Sequence, residues 1–525
     1  NAVDYTIYLD DNTISDTDTR IDDMYLKYNL NKNGKNSGAT LLTRTGSNSN
    51  RVLDSGTIEG GGTNAYSLNL WITDEVDGNY SGQVFSGKLR VEVSQERAKE
   101  AGAVLLENIP GENKYDDGVD TFITGTDPNN YIWYSGKLWR AVLINNEEKT
   151  VKLVTQWDIS AISYDDDSSS FAGSYMEEWL NDTSVDGFLG NLRDYENFIV
   201  TDAKWDATES TAELGSVTRP NGTNIVEDPV GLINIYEYQS SNNGNVYSYL
   251  NNNLYFWTLT PYNVSNINIL DYNGYLRNRS SSNSYGIRPA IILRSEIKIV
   301  SGTGTEDNPY RLEGDNDTNL SGTLLNTRYS GEYIRFGNDE NNLYRIVSHE
   351  NGIGTKITSA EPLKDSGTFK TITFGNLIYS STNTIGTFLN GEYLINYIDS
   401  SYSDIIEESS TWYLGIVGNG TSYKLAKYTD TDMTGYTTST ESKVGLLRIG
   451  ELMSGQFNKS GNNAYYWLLT PFNPNVCNVS NTSDIAVNTP GLIMRGIKPS
   501  LNLKSNVIIT SGDGTRENPF EIALQ

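Results

Sequence analysis

The feature that most constrains this chain is a set of motifs that occurs twice at one fixed spacing. YFWTLTPY at 255–262 returns as YYWLLTPF at 465–472, a separation of 210 residues (465 − 255 = 210). GIRP at 286–289 returns as GIKP at 496–499 with the same separation, as does SGTGTEDNPY at 301–310, which returns as SGDGTRENPF at 511–520. One spacing kept across all three motifs indicates a duplicated domain.

The segments around these motifs keep the same order in both copies. Each copy starts with an aromatic hairpin pattern, at 131–144 and again at 333–347, and continues with a short helical pattern that ends in Leu-Asn. The stretch before the first copy is rich in helix formers, with Ser94 as a candidate cap and Pro110 as a stop. We therefore predict a β-sandwich over 1–94, a helical connector over 95–110, and module copies over 111–315 and 316–525.

The composition favours strands and turns, so we predict a mainly β chain with some α, in which both modules are α+β. Tyr (35 residues) outnumbers Phe (13) and Trp (9), and Asn, Gly, Ser and Thr are abundant, which suits pleated surfaces joined by polar turns. The net charge of −27 disfavours nucleic acid and anionic membrane surfaces as partners. No apolar stretch is long enough to insert into a membrane, and no signal peptide is present.

The single cysteine, Cys477, excludes an intramolecular disulfide. This fits a surface protein of a bacterium without an oxidising periplasm, and it also fits a cytosolic protein. The abundance of Asn, Thr, Ser and Tyr favours export. We expect an extracellular or cell-surface protein whose signal peptide has been removed.

Residues 1–94 alternate in several short stretches. Val3, Tyr5, Ile7 and Leu9 share one face of a predicted strand, and further strands are expected at 24–30, 67–72 and 84–93. Such a series with polar turns is typical of a β-sandwich. Because the first strand starts almost at residue 1, we expect an open position beside it, which a strand of a neighbouring subunit would fill.

The motif order within each copy resembles the DUF6273 modules of secreted bacterial proteins, in which a WLRSP element precedes a GVRP element. The corresponding stretches are WTLTP at 257–261 with GIRPAIIL at 286–293, and WLLTP at 467–471 with GIKPSLNL at 496–503. The pattern is similar in turn to the C-type-lectin-like fold of formylglycine-generating-enzyme-type proteins. The resemblance implies that fold for both modules, and it implies no function, since the function of these modules is unknown.

Residues 1–94 carry a second resemblance, through SLNLWI at 67–72 and FSGKLRVEV at 85–93. These stretches look similar to the TasA/camelysin-like sandwich of extracellular matrix fibres. That resemblance implies a sandwich able to assemble with itself, in line with the open position expected beside the first strand.

Eight residues form the signature of the repeated module. The signature tryptophan occurs in both copies, as Trp257 and Trp467, so we interpret these residues as packing residues rather than as a sugar-binding platform. The basic residues of the signature are each expected to pair with a buried carboxylate. The stretches 263–285 and 473–495 diverge most, and we expect recognition of glycans or proteins there. The signature residues are Trp257, Pro261, Arg288, Pro289, Trp467, Pro471, Lys498 and Pro499.

Catalytic constellations are hard to assemble from this chain. Its only histidine, His349, lies in an Asn-Gly-rich loop of the second copy alone, and Cys477 has no counterpart in the first copy. Nucleophilic catalysis needs such a base beside its nucleophile, and formylglycine-generating chemistry needs paired cysteines. Glu237 and Glu451 do recur, but we interpret both as residues that cap or brace the core. We therefore predict no catalytic residues.

One stretch matches the spacing of a calcium-binding loop. Asp430, Asp432 and Thr434 supply oxygen at positions 1, 3 and 5, glycine follows at position 6, and Glu441 stands at position 12. A solvated loop is the alternative, because position 5 is Thr and no helix pattern precedes the loop. Asp165–Asp167 are a weaker acidic candidate. Calcium is the only cofactor that the sequence suggests.

The function predicted first is that of a non-enzymatic extracellular structural protein, a filament or appendage subunit that joins other copies by strand exchange at 1–94 and displays two lectin-like modules. The alternative is a monomeric adhesin that binds glycans or proteins through 263–285 and 473–495. A secreted hydrolase is a third alternative, which a pocket with a perturbed carboxylate pair would favour.

Overall fold

The structure is a computed structural model that describes residues 3–11, 19–42, 50–58, 62–73, 82–94, 98–242, 248–350, 354–415, 439–453 and 465–525. The chain is mainly β, with 41% strand and 13% helix, as the sequence predicts. It divides into two compact units, Asn1–Ala98 and Lys99–Gln525, and each is described by itself.

The first unit consists of two antiparallel sheets in a sandwich-like arrangement. One sheet has the order β5-β1-β7, and in the other β2 pairs with β6, β3 and β4. A 3₁₀ turn, Asp23–Tyr25, precedes β2, and Asp22 caps it by accepting a hydrogen bond from the Met24 amide. The strands are β1 (Val3–Asp11), β2 (Leu26–Lys32), β3 (Lys35–Asn36), β4 (Thr40–Leu41), β5 (Asn50–Ile58), β6 (Tyr66–Ile72) and β7 (Gly87–Ser94).

The core of the first unit follows the alternation in β1. Tyr5, Ile7 and Leu9 are buried and share a cluster with Leu26 and Leu30 of β2. Residues two apart in a strand point to the same face, so these side chains join the two sheets. The predicted first strand and its core face are thereby confirmed.

The expectation of an open position beside the first strand is wrong. β1 is the central strand of its sheet and pairs antiparallel with β5 on one side and with β7 on the other. The nine-residue strand β5 was not predicted, and it occupies one of these two sides. The edges of this sheet within the described residues are therefore β5 and β7.

The second unit begins with a short strand and a helix. The helix α1 begins at Ala101 rather than at Ser94, with Glu100 at its cap position, and it ends before Ile109 and Pro110. Its buried residues include Ala101 and Leu105, which pack into the core of the first copy. The predicted connector helix therefore exists in shortened form, as a packed part of this unit.

The first copy confirms the hairpin predicted at 131–144, whose strands are Tyr131–Tyr134 and Lys137–Asn145, and Val151–Thr155 pairs with the second of them. Ser174 caps α2 by accepting a hydrogen bond from the Glu177 amide at 3.1 Å. Through the first copy the unit contains β8 (Lys99–Glu100), α1 (Ala101–Asn108), β9 (Lys114–Asp116), β10 (Asp120–Ile123), β11 (Tyr131–Tyr134), β12 (Lys137–Asn145), β13 (Val151–Thr155), β14 (Ser160–Ser163), α2 (Tyr175–Asn181), α3 (Tyr195–Phe198), β15 (Lys204–Asp206), β16 (Ile225–Glu227), β17 (Val230–Gly231), α4 (Ile235–Ser240), β18 (Phe256–Asn263), β19 (Asn266–Leu270), β20 (Leu276–Ser280), β21 (Ser284–Ile287), β22 (Ala290–Leu293), β23 (Lys298–Ser301) and β24 (Tyr310–Leu312).

Within the described ranges, the second copy repeats the main strands of the first copy. Short 3₁₀ turns in the unit are Gly111–Asn113, Leu189–Asn191, Leu325–Thr327, Asp339–Asn341 and Ser400–Ile405. The strands and helices of the second copy are β25 (Tyr333–Arg335), β26 (Leu343–Glu350), β27 (Gly354–Ser359), β28 (Lys364–Asp365), β29 (Thr368–Phe369), β30 (Thr371–Thr373), α5 (Thr384–Leu389), α6 (Glu392–Asn396), β31 (Ser410–Tyr413), β32 (Ser439–Ser442), β33 (Val444–Gly445), β34 (Tyr466–Phe472), β35 (Asn475–Val479), β36 (Ile485–Asn488), β37 (Met494–Gly496), β38 (Ser500–Leu503), β39 (Val507–Ser511) and β40 (Glu521–Leu524).

The sheet topology repeats between the copies. The order β17-β22-β13-β12-β11 in the first copy corresponds to β33-β38-β27-β26-β25 in the second, and β14-β21-β18-β19-β20 corresponds to β30-β37-β34-β35-β36. Even the rare parallel contact recurs, since β18 meets β21 and β34 meets β37 in parallel. The repeated motifs therefore mark a repeated fold.

The core of the first copy extends into the second copy, which also has a core cluster of its own. Tyr466, Leu468, Cys477 and Val479 of the second copy lie in the same buried cluster as the core of the first copy. Backbone bonds cross as well, because the Met453 amide donates to the Ile159 carbonyl at 2.6 Å. The copies thus form one packed unit with a cleft at their junction.

Candidate functional site

Both copies contain the same buried ion pair, and its contacts are structural. Lys356 Nζ lies 2.5 Å from Glu451 Oε1, and Lys152 makes the corresponding contact with Glu237. Each glutamate also accepts a hydrogen bond from the backbone N–H three residues before it, and in the first copy this bond belongs to the capping box of α4. The prediction that these glutamates cap or brace the core is confirmed by their contacts.

An aromatic ring covers each of these lysines. Lys152 Nζ lies 4.7 Å from the Trp205 ring, and Lys356 Nζ lies 5.0 Å from the Trp412 ring. Gly231 packs against Trp205 so closely that a Cβ there would lie 2.3 Å from the indole. These charges are neutralised and enclosed, so they leave no group for catalysis.

The signature tryptophans are core residues, as predicted. Trp257 and Trp467 are fully buried, and their indole N–H groups donate to the carbonyl oxygens of Ile162 (3.1 Å) and Ile372 (2.8 Å). Pro261 and Pro471 lie where each strand slips out of register with its neighbour. Proline has no N–H for the ladder, which suits such an irregular position.

The basic signature residues are buried too. Arg288 donates to the Thr155 carbonyl at 2.7 Å and to the Leu250 carbonyl at 2.5 Å. Burial raises the pKa of Asp158 to about 7, and the positive charge of Arg288 opposes that rise. The two side chains nevertheless form no hydrogen bond to each other, so the expected pairing of Arg288 with a buried carboxylate is not found among the described residues. Pro289 follows in the chain and offers its carbonyl to the Thr155 amide at 3.1 Å.

Lys498 differs from its counterpart in the first copy. Burial lowers its pKa to about 7, the nearby charge of Arg345 lowers it further, and Glu361 acts in the opposite direction. Its ammonium lies 5.0 Å from the Tyr466 ring, as the guanidinium of Arg288 lies over Phe256. The carbonyl of Pro499 accepts the Ser359 amide at 3.1 Å. The signature thus fixes the strand ends of each module.

The cleft at the junction of the copies is the best-formed candidate site. It encloses about 270 Å³ and is lined by residues of both copies. Its apolar wall contains Trp133, which stacks on Tyr333 with 6.4 Å between ring centroids and 28° between planes. Trp157 lies half-buried on the same wall. The sequence motifs did not reveal this site because its walls come from residues some 200 positions apart.

Charged side chains surround this aromatic wall. The loop that carries Glu306 and Asp307 meets its own repeat, which carries Arg516 and Glu517. Loss of solvation, together with the nearby carboxylate of Asp307, raises the pKa of Glu517. Arg345 lies 4.4 Å over the Tyr333 ring. The repeated loops, visible in the sequence, are the signal that could have pointed to this cleft.

Lys137 closes the floor of the cleft and belongs to its structure. Its ammonium donates to the Ser135 carbonyl at 3.0 Å and to the carbonyl and hydroxyl of Ser330 at 2.9 and 3.0 Å. Burial lowers its pKa to about 7. Three donors with three acceptors leave this lysine fully occupied in joining the two copies.

A larger groove of about 470 Å³ lies on the first copy alone. Part of its charge is already paired: Arg219 bridges Asp120 and the neighbouring Asp117, and the Tyr236 hydroxyl donates to Asp117 at 2.7 Å. Lys152, which also lines it, is paired with Glu237. Binding a ligand here would have to replace these contacts, which makes the cleft the stronger candidate.

The divergent stretches form hairpins with different surroundings. In the first copy, 263–285 exposes Tyr272 and Tyr275, which are 42% and 43% exposed, and Tyr272 packs edge-on against Tyr255 at 5.6 Å. In the second copy, part of 473–495 faces the first copy, since Thr482 accepts the Tyr255 amide at 2.8 Å. The second of these stretches therefore serves partly as an internal contact.

The predicted calcium loop is only partly within the described residues. Asp430, Asp432 and Thr434 lie outside them. Glu441 lies on β32 and accepts hydrogen bonds from the hydroxyls of Ser409 (3.0 Å) and Thr411 (2.6 Å). In the first copy, carboxylate oxygens of Asp165–Asp167 lie within 4.8 Å of one another, the two later residues being exposed.

The remaining reactive residues are enclosed. The ring nitrogens of His349 contact Thr355 Oγ1 at 3.1 Å and the Arg328 carbonyl at 2.5 Å, and burial lowers the pKa of the imidazole. Cys477 is buried, and burial raises the pKa of its thiol to about 12. A thiol that stays protonated at neutral pH is a poor nucleophile. Neither residue lines the cleft.

Comparison with known proteins gives no relative. No family model, no curated protein and no solved structure matches the chain. The likeness to DUF6273 and to TasA/camelysin-like proteins stays a prediction from the motifs. In the described part of the chain, no helix combines the length and the hydropathy needed to cross a bilayer.

Proposed function

We propose that this chain is a non-enzymatic extracellular structural protein that assembles with other copies by β-strand addition to its first unit. The observation that carries the proposal is the edge strand β7. Within the described residues, β7 pairs only with β1, so one row of its backbone groups is left without a strand partner. Such an edge is a template for a strand of another chain.

Side chains on β7 support this proposal. Val91 lies opposite Ile7 and Leu89 lies opposite Leu9, so both point to the core side of the sheet. Ile7 and Leu9 are buried, whereas Leu89 and Val91 are 54% and 57% exposed. The core face of the sheet thus continues onto a strand that nothing in the described part of this unit covers.

The second sheet has a similar edge. In β6, Ile72 lies opposite the buried Leu26 and is itself 51% exposed, and Leu70 is 38% exposed. We propose that an extended segment from the first unit of another protein chain pairs with β7 and buries the exposed apolar side chains of β7 and β6. The alternation of apolar and charged residues in β7 provides a register for that pairing.

Light scattering of the full chain tests the proposal. We expect the wild-type chain to form larger species as its concentration rises, and Val91→Lys to remain monomeric because the lysine charge would be buried by the incoming strand. Val185→Lys is the matched control, since Val185 is 43% exposed in the second unit and is expected not to affect assembly. A wild-type chain that stays monomeric up to its solubility limit refutes the proposal.

A second candidate function is adhesion through the exposed tyrosines of 263–285. Tyr272 and Tyr275 are accessible, Tyr255 supports Tyr272, and Arg277 lies 5.7 Å from the Tyr275 ring. Clustered tyrosines with a neighbouring arginine are common in binding surfaces. Binding to immobilised glycans that disappears in Tyr272→Ser/Tyr275→Ser favours adhesion, and binding that survives this change excludes 263–285 as the contact.

A further inference from the structure

The cleft between the two copies has the size and lining of a ligand-binding site, and neither copy forms it alone. The first copy contributes Trp133 and Trp157 to its lining, and the second contributes Arg345 and Tyr333, which stacks on Trp133. The repeated loops at 304–309 and 514–519 close the remaining side. Duplication followed by packing of the copies therefore creates this cavity.

In the first copy, the residues that correspond to Tyr333 and Arg345 contact each other and a carboxylate of the same copy. The second copy differs from the first in these contacts. In the first copy, Arg140 stacks on Tyr131 at 3.6 Å, the Tyr131 hydroxyl lies 3.2 Å from Asp127 Oδ1, and Arg140 pairs with the same carboxylate at 3.6 Å. In the second copy, Arg345 stacks on Tyr333 in the same way. The Tyr333 hydroxyl, however, makes no hydrogen bond to any described residue.

A second polar group in the cleft is also without a partner in the described ranges. The indole N–H of Trp157 makes no hydrogen bond there, whereas those of Trp139, Trp257 and Trp467 all do. The cleft thus offers an indole donor and a phenol hydroxyl beside an aromatic wall.

We propose that the cleft binds a neutral sugar ring, as a free saccharide or as the end of a glycan. The half-buried aromatic ring of Trp157 suits the apolar face of a pyranose, and the carboxylates of Glu306 and Glu517 and the guanidinium of Arg516 suit hydroxyl groups, which both donate and accept hydrogen bonds. A volume of about 270 Å³ fits one ring rather than a larger ligand.

The charges in the cleft also set its selectivity. Glu306, Asp307 and Glu517 bring three carboxylates to its rim, against the guanidinium groups of Arg345 and Arg516. A ligand with its own carboxylate or phosphate would meet these acids at close range. The site therefore selects neutral sugars over uronic or sialic acids. This inference does not depend on self-assembly, and it uses a different surface from the tyrosines of 263–285.

Saturation-transfer NMR on the full chain tests the inference. The probes are the methyl glycosides of glucose, galactose, mannose and N-acetylglucosamine, with glucuronic acid and N-acetylneuraminic acid as acidic counterparts. We expect transfer to the ring C–H protons of at least one neutral probe and none to the acids. No transfer to any neutral probe, or equal transfer to the acids, overturns the inference.

Variants assign the binding to the cleft. Trp157→Ala removes the aromatic contact and the free N–H, and Arg516→Ala removes a donor whose side chain is 47% exposed and therefore tolerates truncation without disturbing the fold. Each change is expected to weaken binding roughly tenfold or more, the loss of about 1.4 kcal/mol. Ile395→Ser is the matched control, because Ile395 is 78% exposed and does not line the cleft, and it is expected to bind as wild type. Wild-type affinity in both cleft variants, or loss of binding in Ile395→Ser alone, overturns the assignment.

Discussion

Removing the lysine of a repeated buried ion pair is expected to destabilise the second unit strongly. The side chains of Lys356 and Glu451 are only 4% and 1% exposed, and 2.5 Å separates Nζ from Oε1. In Lys356→Met, Glu451 keeps the Arg448 amide as a donor at 2.6 Å but loses its cation. Breaking a buried pair from one side typically costs about 3–5 kcal/mol, because the remaining charge is uncompensated.

The size of the unit converts this cost into a melting temperature. The unit Lys99–Gln525 has roughly 430 residues, so its unfolding entropy at about 2.1 cal/mol/K per residue is about 0.9 kcal/mol/K. Dividing the cost by this entropy gives a drop of roughly 3–6 °C, measurable by differential scanning calorimetry. Lys152→Met, in the first copy, is expected to behave alike.

Two further variants make the measurement decisive. Lys356→Met/Glu451→Gln removes both charges and is expected to recover part of the lost stability. Arg294→Ala breaks an exposed pair, in which the side chains of Arg294 and Glu296 are 44% and 60% exposed, and is expected to cost under about 1 kcal/mol. If Lys356→Met melts within one degree of wild type, or if the double variant is less stable than Lys356→Met, the account of the buried brace is wrong.

Two other predictions concern packing and pH. In Gly445→Ala the new Cβ would lie 2.5 Å from the Trp412 indole, so we expect the free energy of unfolding to fall by about 1–3 kcal/mol, measured by calorimetry. Gly111→Ala has open space around the new Cβ and is expected to leave the stability unchanged. Equal stability of the two variants would contradict the packing described for Gly445. Asp158 has a folded-state pKa of about 7 against an ordinary 3.8, so the folded chain binds the extra proton and gains stability as pH falls from about 7 towards 4. Asp158→Asn lacks this gain, and the melting temperature of the variant minus that of wild type is expected to be larger at pH 7.5 than at pH 5; an equal difference at both values would refute it.

Periodicity and repetition predicted the parts of the fold that depend on local pattern. The alternation in β1 and the burial of Trp257 both follow from spacing within a single element. Repetition also identified core residues, because the tryptophan that occurs in both copies, as Trp257 and Trp467, was correctly assigned to packing. Each of these properties is determined by a short stretch of sequence within one module or one strand.

Features that depend on distant partners could not be predicted in this way. β5 was missed because Arg51, Asp54 and Gly56 interrupt an apolar pattern. Arg51 is buried where it pairs with Asp11, forty residues earlier, and with Asp23. The cleft was missed for the same reason, since Trp133 and Tyr333 come together only when the copies pack. Sequence spacing carries no information on how two modules face each other.

Hydrogen exchange in β7 is the measurement that tests self-assembly most directly. Alternate amides of Gly87–Ser94 point away from β1, so they exchange readily in a monomer and become protected when another strand pairs with them. We predict that protection in β7 rises with protein concentration, while the amides of the central strand β12 keep the same protection throughout. Protection in β7 that stays constant from dilute to concentrated protein would contradict assembly by strand addition at this edge.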